Sequence, residues 1–229
     1  MFSLHVPIKM SRQEDILKVL ATKSSNKQLV HRKALEAFSD LKQMLRETAV
    51  ALNGQICAID HSVVVEFIDR GEFEVEIRFS GDSLIFQLHT NAFALPSEHP
   101  LRNTPYVQEN ANRAYFGLIH AYNFLSDSFR MRRMNDVGML LSRLFVNGEG
   151  HFMAEGVGRL GIPLTQEHLT SAVMQSWIEH AMLQAMDMDL VVSPFAEIHD
   201  ISLMELEGLR EELRQRTSKR LGYRPAGLK

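Results

Sequence analysis

The sequence predicts an α+β protein in which an antiparallel β-sheet packs against helices. A long stretch after residue 25 repeats its apolar residues at helical spacing, and the next forty residues change to the two-residue alternation of strands. Short turn signals then separate further strands and helices along the rest of the chain. The expected order is α-βββ-α-ββ(β)-α, with an additional helix at the N-terminal and the C-terminal end.

The composition fits a folded, water-exposed protein. The 229 residues are 45% hydrophobic and 23% charged, with a formal net charge of -3, so no positive field favours nucleic acid or anionic lipid. No run reaches the roughly 18 apolar residues that span a bilayer. Cys57 is the single cysteine, in an apolar segment that favours a buried structural thiol. With no disulfide and no signal-peptide pattern, we expect a cytoplasmic protein without membrane or nucleic-acid partners.

The first long element is a helix predicted from Asn26 to Asn53. Its initial asparagine is a suitable N-cap, Asn53-Gly54 is a typical end, and apolar residues recur on one face: Leu35, Phe38, Leu41, Leu45 and Ala49. A shorter helix over residues 11–21 is indicated by the capping-box spacing of Ser11 and Glu14. We expect it to belong to an N-terminal arm, residues 1–25.

Three strands are predicted next. The central one alternates apolar and charged residues between Phe73 and Phe79, which favours one buried and one wet face. SVVVEFID precedes it and SLIFQLHTNAFAL follows it, each across a short turn signal. The proline-rich stretch PSEHPLRNTP then predicts a surface connection.

The second half is predicted to begin with a middle helix over Asn110–Leu125, on the spacing of Ala114, Leu118, Ala121, Tyr122 and Leu125. Strands are then expected at residues 129–134, in GMLLSRLFVN, and in HFMAEG. Thr165 is a suitable N-cap for a helix that runs to about Met186. We expect residues 26–190 to form a single domain, and residues 191–229 to be a helical extension with leucines on one face: Leu203, Leu206, Leu209 and Leu213.

Part of this order resembles a known family. Asn123-Phe124-Leu125, the turn through Asp136-Val137-Gly138, the strand MLLSRLFV and the helix start LTQEHL resemble the YbjN family and its relatives with the type III secretion chaperone-like fold. The residue-level likeness covers about residues 123–185, and NGEGHFMAEGVGRLGIP is an insertion relative to that pattern. The resemblance implies a small α+β domain, often dimeric, that holds a protein segment and performs no chemistry.

Two polar groups suggest other functions. A basic strand face could bind phosphates through Arg130, Arg132, Arg133 and Arg143, but solvated arginines paired with Glu74, Glu76 or Asp136 explain the pattern as well. Glu149, His151 and Glu155 are residue types that bind zinc or iron, and strand alternation would place them on one side. No HExxH or paired-cysteine motif accompanies them, so an exposed hairpin is the simpler interpretation.

The methionines favour a binding surface. Eight of the twelve lie between Met131 and Met188, and flexible thioethers can pack against dissimilar apolar partners. We expect an apolar contact surface among Met174, Trp177, Met182 and Met186, although core filling is the simpler interpretation for any individual methionine.

The sequence therefore predicts a protein-binding module, chaperone-like or an adaptor, that acts as a homodimer on a protein or peptide partner, with no catalytic residues and no cofactor. The alternatives are a metal-dependent hydrolase that uses Glu149, His151 and Glu155, and a small-ligand sensor domain.

Overall fold

The computed structural model describes residues 12–188, 202–204 and 206–207. Helix α1 (Arg12–Val19) continues through a π-helical turn into the long α2 (Ser25–Ile56). The other helices are α3 (Pro105–Glu109), α4 (Ser126–Arg130) and α5 (Ser171–Met186). The strands are β1 (Val65–Asp69), β2 (Glu74–Phe79), β3 (Asp82–Leu88), β4 (Phe93–Ala94), β5 (Tyr115–Leu125), β6 (Met139–Asn147) and β7 (Phe152–Gly156).

These strands form one seven-stranded antiparallel sheet. Its order is β1-β2-β3-β5-β6-β7, with the short β4 also paired to β5. The pairing of β3 with β5, from Asp82 opposite Leu125 to Leu88 opposite Ile119, joins the two halves of the chain. The α+β class, with an antiparallel sheet against helices, is therefore confirmed.

Helices α2 and α5 cover one face of the sheet. Apolar side chains of β2 and β3, including Ile77 and Phe86, meet α2 residues such as Phe38 and Leu41 in the main core. The alternation predicted for residues 73–79 is the physical cause, because every second side chain of β2 points at the helices. The sheet thus holds α2 and α5 side by side.

The opposite face of the sheet is closed by loops at one end. There Phe116 and Phe145 pack edge to face with their ring centroids 6.1 Å apart, and Leu95 and Met153 complete a second apolar cluster. Farther along this face, the fully buried carboxylate of Glu76 is held by three neighbours: Arg70, Arg78 and Ser83.

The predicted middle helix over Asn110–Leu125 is wrong. Residues 115–125 are the central strand β5, and residues 111–114 form only a short 3-10 turn. This strand lies between β3 and β6 and is covered on both faces, by α2 and by the second apolar cluster, so its sequence lacks a polar alternation. Apolar residues on both faces produced a spacing that resembles a helix.

The predicted strand at residues 129–134 is also wrong. Residues 126–130 form α4, and the chain then turns, with Arg132 at a φ of 51°. The hydroxyl of Ser128 donates to Asp136 at 2.7 Å and closes this connection. Local side-chain hydrogen bonds of this kind compete with strand pairing.

Helix boundaries depart from the predictions in two further places. The last core helix begins at Ser171 after the N-cap Thr170, whose hydroxyl accepts from the Val173 N–H, whereas the prediction placed the cap at Thr165. The predicted short N-terminal helix is not separate, because α1 runs into α2 without a break. Most of the predicted C-terminal helix lies outside the described residues. None of the helices described is long and apolar enough to cross a lipid bilayer.

Candidate functional site

An apolar groove lies between α2 and α5 on the surface away from the sheet. It has a volume of about 550 Å³. Helix α2 lines it with Glu47, Thr48, Ala51 and Leu52, and α5 lines it with Gln175, Glu179, Met182, Leu183 and Met186. The volume falls within the range of ligand and peptide sites in proteins.

The groove exposes large apolar side chains that the fold leaves uncovered. Leu183 is 61% exposed, Met186 49% and Leu52 38%. A single exposed leucine is ordinary, but three large apolar side chains that line one concave surface form a contiguous patch. Such patches mark contact sites on folded proteins.

The sequence of α5 explains why this patch exists. One side of the helix is buried against the sheet and α2 through Trp177, Ile178, Ala181 and Ala185. Leu183 and Met186 lie outside that buried side and are apolar as well. A helix that only covered the core would carry polar residues on its outer side. Packing of the core therefore does not explain why Leu183 and Met186 are apolar.

The rim of the groove is polar and acidic. Thr48 and Gln175 contact each other across it, with the Gln175 amide donating to the Thr48 hydroxyl at 3.3 Å. Glu47 accepts a hydrogen bond from Gln43, and Glu179 accepts one from Gln175. Neither carboxylate has an ion-pair partner among the residues described, so the groove presents two negative charges beside an apolar floor.

The four predicted contact residues divide between core and groove. Met174 and Trp177 are 2% exposed and lie in the main core, where the Trp177 ring packs on Phe86 and its N–H donates to Ser142 at 3.0 Å. Met182 is mostly buried but lines the groove floor, and Met186 lines its open end. The accessible surface was not predicted in full, since Leu52 and Leu183 were missed.

The three residues of the alternative metal site do not converge. Glu149 forms an ion pair with the Arg113 guanidinium at 2.9 Å, and His151 Nδ1 lies 3.5 Å from the Glu149 carboxylate. Glu155, in β7, pairs instead with Arg143 of β6. In the described part of the chain, no group of three His, Cys, Asp or Glu side chains is placed to hold a metal ion.

Glu149 and His151 instead join a polar cluster with Tyr106. The Asn147 amide donates to the Tyr106 oxygen at 2.7 Å, so we assign the Tyr106 hydroxyl as donor to His151 Nδ1 at 2.6 Å. Burial raises the pKa of Tyr106. Burial also lowers the pKa of His151, against the opposing effect of Glu149. A neutral His151 is the form that can accept this hydrogen bond.

The four arginines considered as a basic strand face do not share one strand. Arg133 pairs with Asp136 at 3.4 Å and Arg143 pairs with Glu155, whereas Arg130 and Arg132 have no ion pair with any described residue. A cavity of about 360 Å³ adjoins the connection that carries Arg132 and Arg133. Four arginines therefore occupy different environments and do not form a common basic surface.

Cys57 lies just after the C-terminal end of α2. Its thiol is half-buried, and Sγ lies 3.6 Å from the Asn53 side-chain oxygen.

Comparison with protein-family models, curated proteins and solved structures found no match to this chain.

Proposed function

We propose that this protein is a non-enzymatic protein-binding module, an adaptor or a chaperone, that holds an apolar segment of a partner in the groove between α2 and α5. The observation that carries the proposal is the exposure of Leu52, Leu183 and Met186 along one concave surface. Burying such side chains is worth about 1.5 to 3 kcal/mol for each one fully covered.

The shape of the groove favours a helical partner segment. Two neighbouring helices form a trough into which a third helix can lay its apolar stripe, as in other helix-in-groove complexes. The methionines add adaptability, because the thioethers of Met182 and Met186 can adjust to different apolar side chains. Glu47 and Glu179 at the rim favour a segment flanked by lysine or arginine.

The resemblance to the YbjN family and the type III secretion chaperone-like fold agrees with this proposal. It adds a homodimer, and we also propose a cytoplasmic location. Light scattering on the full chain tests the homodimer, and a monomer throughout the micromolar range contradicts it.

Site-directed photo-crosslinking in the native cell tests the groove. A photoreactive amino acid replaces Leu183 in the groove, and in a matched protein it replaces Val137, which is 83% exposed on the β5–β6 connection. We expect discrete protein adducts from position 183 and none of the same adducts from position 137. Adducts that are the same at both positions contradict the proposal.

A charge substitution supplies the second measurement. Leu183→Asp places a carboxylate in the apolar groove beside Glu179, and Val137→Asp is its control. We expect Leu183→Asp to abolish capture of the crosslinked protein at unchanged stability, because position 183 is mostly exposed. Equal capture by the two variants counts against the groove.

A further inference from the structure

The cavity beside the connection from α4 to β6 lies on the sheet face that α2 and α5 do not cover. Its volume is about 360 Å³, at the lower end of the range for small-molecule sites. Phe124, one of its lining residues, is opposite Ser83 in the β3–β5 pairing, and Ser83 donates to the Glu76 carboxylate on that face. The cavity shares no lining residue with the groove, so it is a separate feature of the molecule.

Aromatic side chains form one wall of this cavity. The rings of Phe124 and Phe129 meet edge to face with their centroids 5.3 Å apart. The Phe124 ring also packs directly against the backbone of Gly138, where any Cβ would overlap the ring. The Arg70 guanidinium carbon lies 4.6 Å from the Phe129 ring centroid, as in a cation–π contact. The wall therefore offers apolar contact next to a positive charge.

Three guanidinium groups line the cavity against a single lining carboxylate. That carboxylate, Asp136, pairs with Arg133 at 3.4 Å. Arg70 is paired with the buried Glu76. Arg132 has no ion pair with any described residue, so the lining keeps an excess of positive charge.

One of these guanidinium groups carries a donor without an acceptor. Arg133 Nη2 is buried from solvent and makes no hydrogen bond within the described part of the chain, whereas Nη1 of the same group donates to Asp136. Buried donors in folded proteins nearly always have a partner, and an unpaired donor on a charged group is destabilising. An oxygen of a bound anion would supply the acceptor that Arg133 lacks.

The backbone of Arg132 explains how two neighbouring arginines line one cavity. In an extended strand the side chains of Arg132 and Arg133 would point to opposite sides. Arg132 instead has a φ of 51°, in the left-handed region that arginine rarely adopts, and both side chains line the cavity. Backbone strain of this kind is concentrated at ligand sites and other functional positions.

We propose that this cavity binds a small organic anion, a carboxylate or a phosphate monoester with an aromatic or apolar body. Guanidinium groups donate paired hydrogen bonds to carboxylate and phosphate oxygens, and Arg132 and Arg133 supply them here. The rings of Phe124 and Phe129 contact the body of the ligand. The site goes beyond the proposed protein-binding function and does not depend on the groove.

Amide NMR titration of the full chain tests the proposal. The probes are phenyl phosphate and 3-phenylpropionate, with benzyl alcohol as the neutral aromatic control and inorganic phosphate as the anion without a body. We expect saturable shift changes centred on residues 126–138 for an anionic aromatic probe, and the tighter of the two probes identifies the anionic group. Its Kd should be at least about tenfold below the Kd of either control, the gain expected from one paired contact.

Three results of this titration would overturn the proposal. The first is no saturable shift change with either anionic aromatic probe. The second is a set of shift changes centred on the groove between α2 and α5. The third is a Kd for benzyl alcohol or inorganic phosphate equal to that of the anionic aromatic probes, because the site would then not require both an anionic group and an apolar body.

Variants of the two arginines provide the second measurement. Arg133→Gln removes the guanidinium group with the buried donor, and Arg132→Gly removes the guanidinium group without an ion pair. Arg159→Gln is the matched control, because Arg159 is exposed and does not line the cavity. We expect each cavity variant to raise the Kd of the tighter probe at least about tenfold and the control to leave it unchanged. An unchanged Kd in either cavity variant overturns the proposal.

Stability and the groove variant separate loss of the site from other causes. Arg132→Gly should not lower the midpoint of urea unfolding, since glycine adopts the left-handed conformation without strain. Weaker binding in a variant as stable as the wild-type chain is then a loss of the site itself. Leu183→Asp alters only the groove and should bind the tighter probe with an unchanged Kd. Loss of probe binding in Leu183→Asp would assign the probe to the groove and overturn the proposal.

Discussion

The close approach of α2 to the central strand allows a sharp test of the fold, through Gly117→Ala. Gly117 lies in β5 directly beneath α2, and a Cβ placed there would be 2.3 Å from the Ala34 Cβ. It would also lie 3.6 Å from the Val30 carbonyl oxygen, so the backbone of α2 limits how far the added methyl can shift. Ordinary contact between two carbons needs about 3.5 to 4.0 Å, which means that helix and strand must separate by more than 1 Å.

The expected loss of stability follows from that overlap. Overpacking a core costs about 1 to 3 kcal/mol, and two methyl groups without rotamers cannot relax by side-chain rotation. We therefore expect Gly117→Ala to lower the free energy of unfolding by about 3 kcal/mol. Ala34→Gly alone should cost about 1 to 2 kcal/mol through helix propensity and one lost methyl.

The double variant Gly117→Ala with Ala34→Gly shows whether the loss of stability comes from the clash between these two positions. With Ala34→Gly, the methyl at position 117 occupies the vacated space, so the two losses should not add, and we expect a coupling of about 2 kcal/mol in urea unfolding. Gly54→Ala in α2 is the matched control, because a Cβ there meets nothing within 4 Å, and it should be neutral or slightly stabilising. Additive losses, or a Gly117→Ala variant as stable as the control, would refute the reasoning.

Three further predictions concern buried polar groups. Because the pKa of His151 is lower in the folded than in the unfolded state, its contribution to stability is complete above about pH 6.5 and is lost as the pH falls. Between pH 7.5 and 5, the free energy of unfolding in urea should therefore fall less in His151→Asn than in the wild-type chain, and an equal fall in both contradicts this. Trp177→Phe should cost about 1 to 3 kcal/mol, because the Ser142 hydroxyl, which donates to the Glu155 carbonyl, loses the indole N–H from which it accepts. In a double-mutant cycle with Ser142→Ala, followed by calorimetry, the two losses should sum to more than the loss in the double variant, and full additivity contradicts this. Glu76→Leu should destabilise by about 2 kcal/mol in urea, because two partly exposed arginines lose their buried carboxylate, whereas a stability equal to wild type would show that the ion pairs contribute nothing.

The elements that the sequence predicted correctly are those whose large apolar residues lie mainly on one face. Helix α2 and strand β2 each repeat their apolar residues at a single period, because only one side of each faces the main apolar core. Strand β5 was predicted wrongly, because it carries apolar residues on both faces and its sequence therefore lacks the two-residue alternation of a strand. Helix α4 was missed for a different reason. Its segment has strand-like alternation, but the Ser128–Asp136 hydrogen bond closes the connection that follows the helix.

The candidate site was only partly predictable. The abundance of methionine near the end of the core indicated an apolar surface, and Met182 and Met186 do line the groove. Composition could not separate them from Met174, which fills the core. Leu52 entered the site only because α2 and α5, distant in sequence, lie side by side on the sheet.

The sequence by itself determined the α+β class, the long first helix and the concentration of apolar residues around α5, because these depend on local period and composition. Tertiary structure decided that residues 115–125 form the central strand, that Glu155 lies apart from Glu149 and His151, and that a groove opens beside Leu183. These features depend on which distant segments become neighbours, and a residue's own neighbours in sequence carry little information about that pairing.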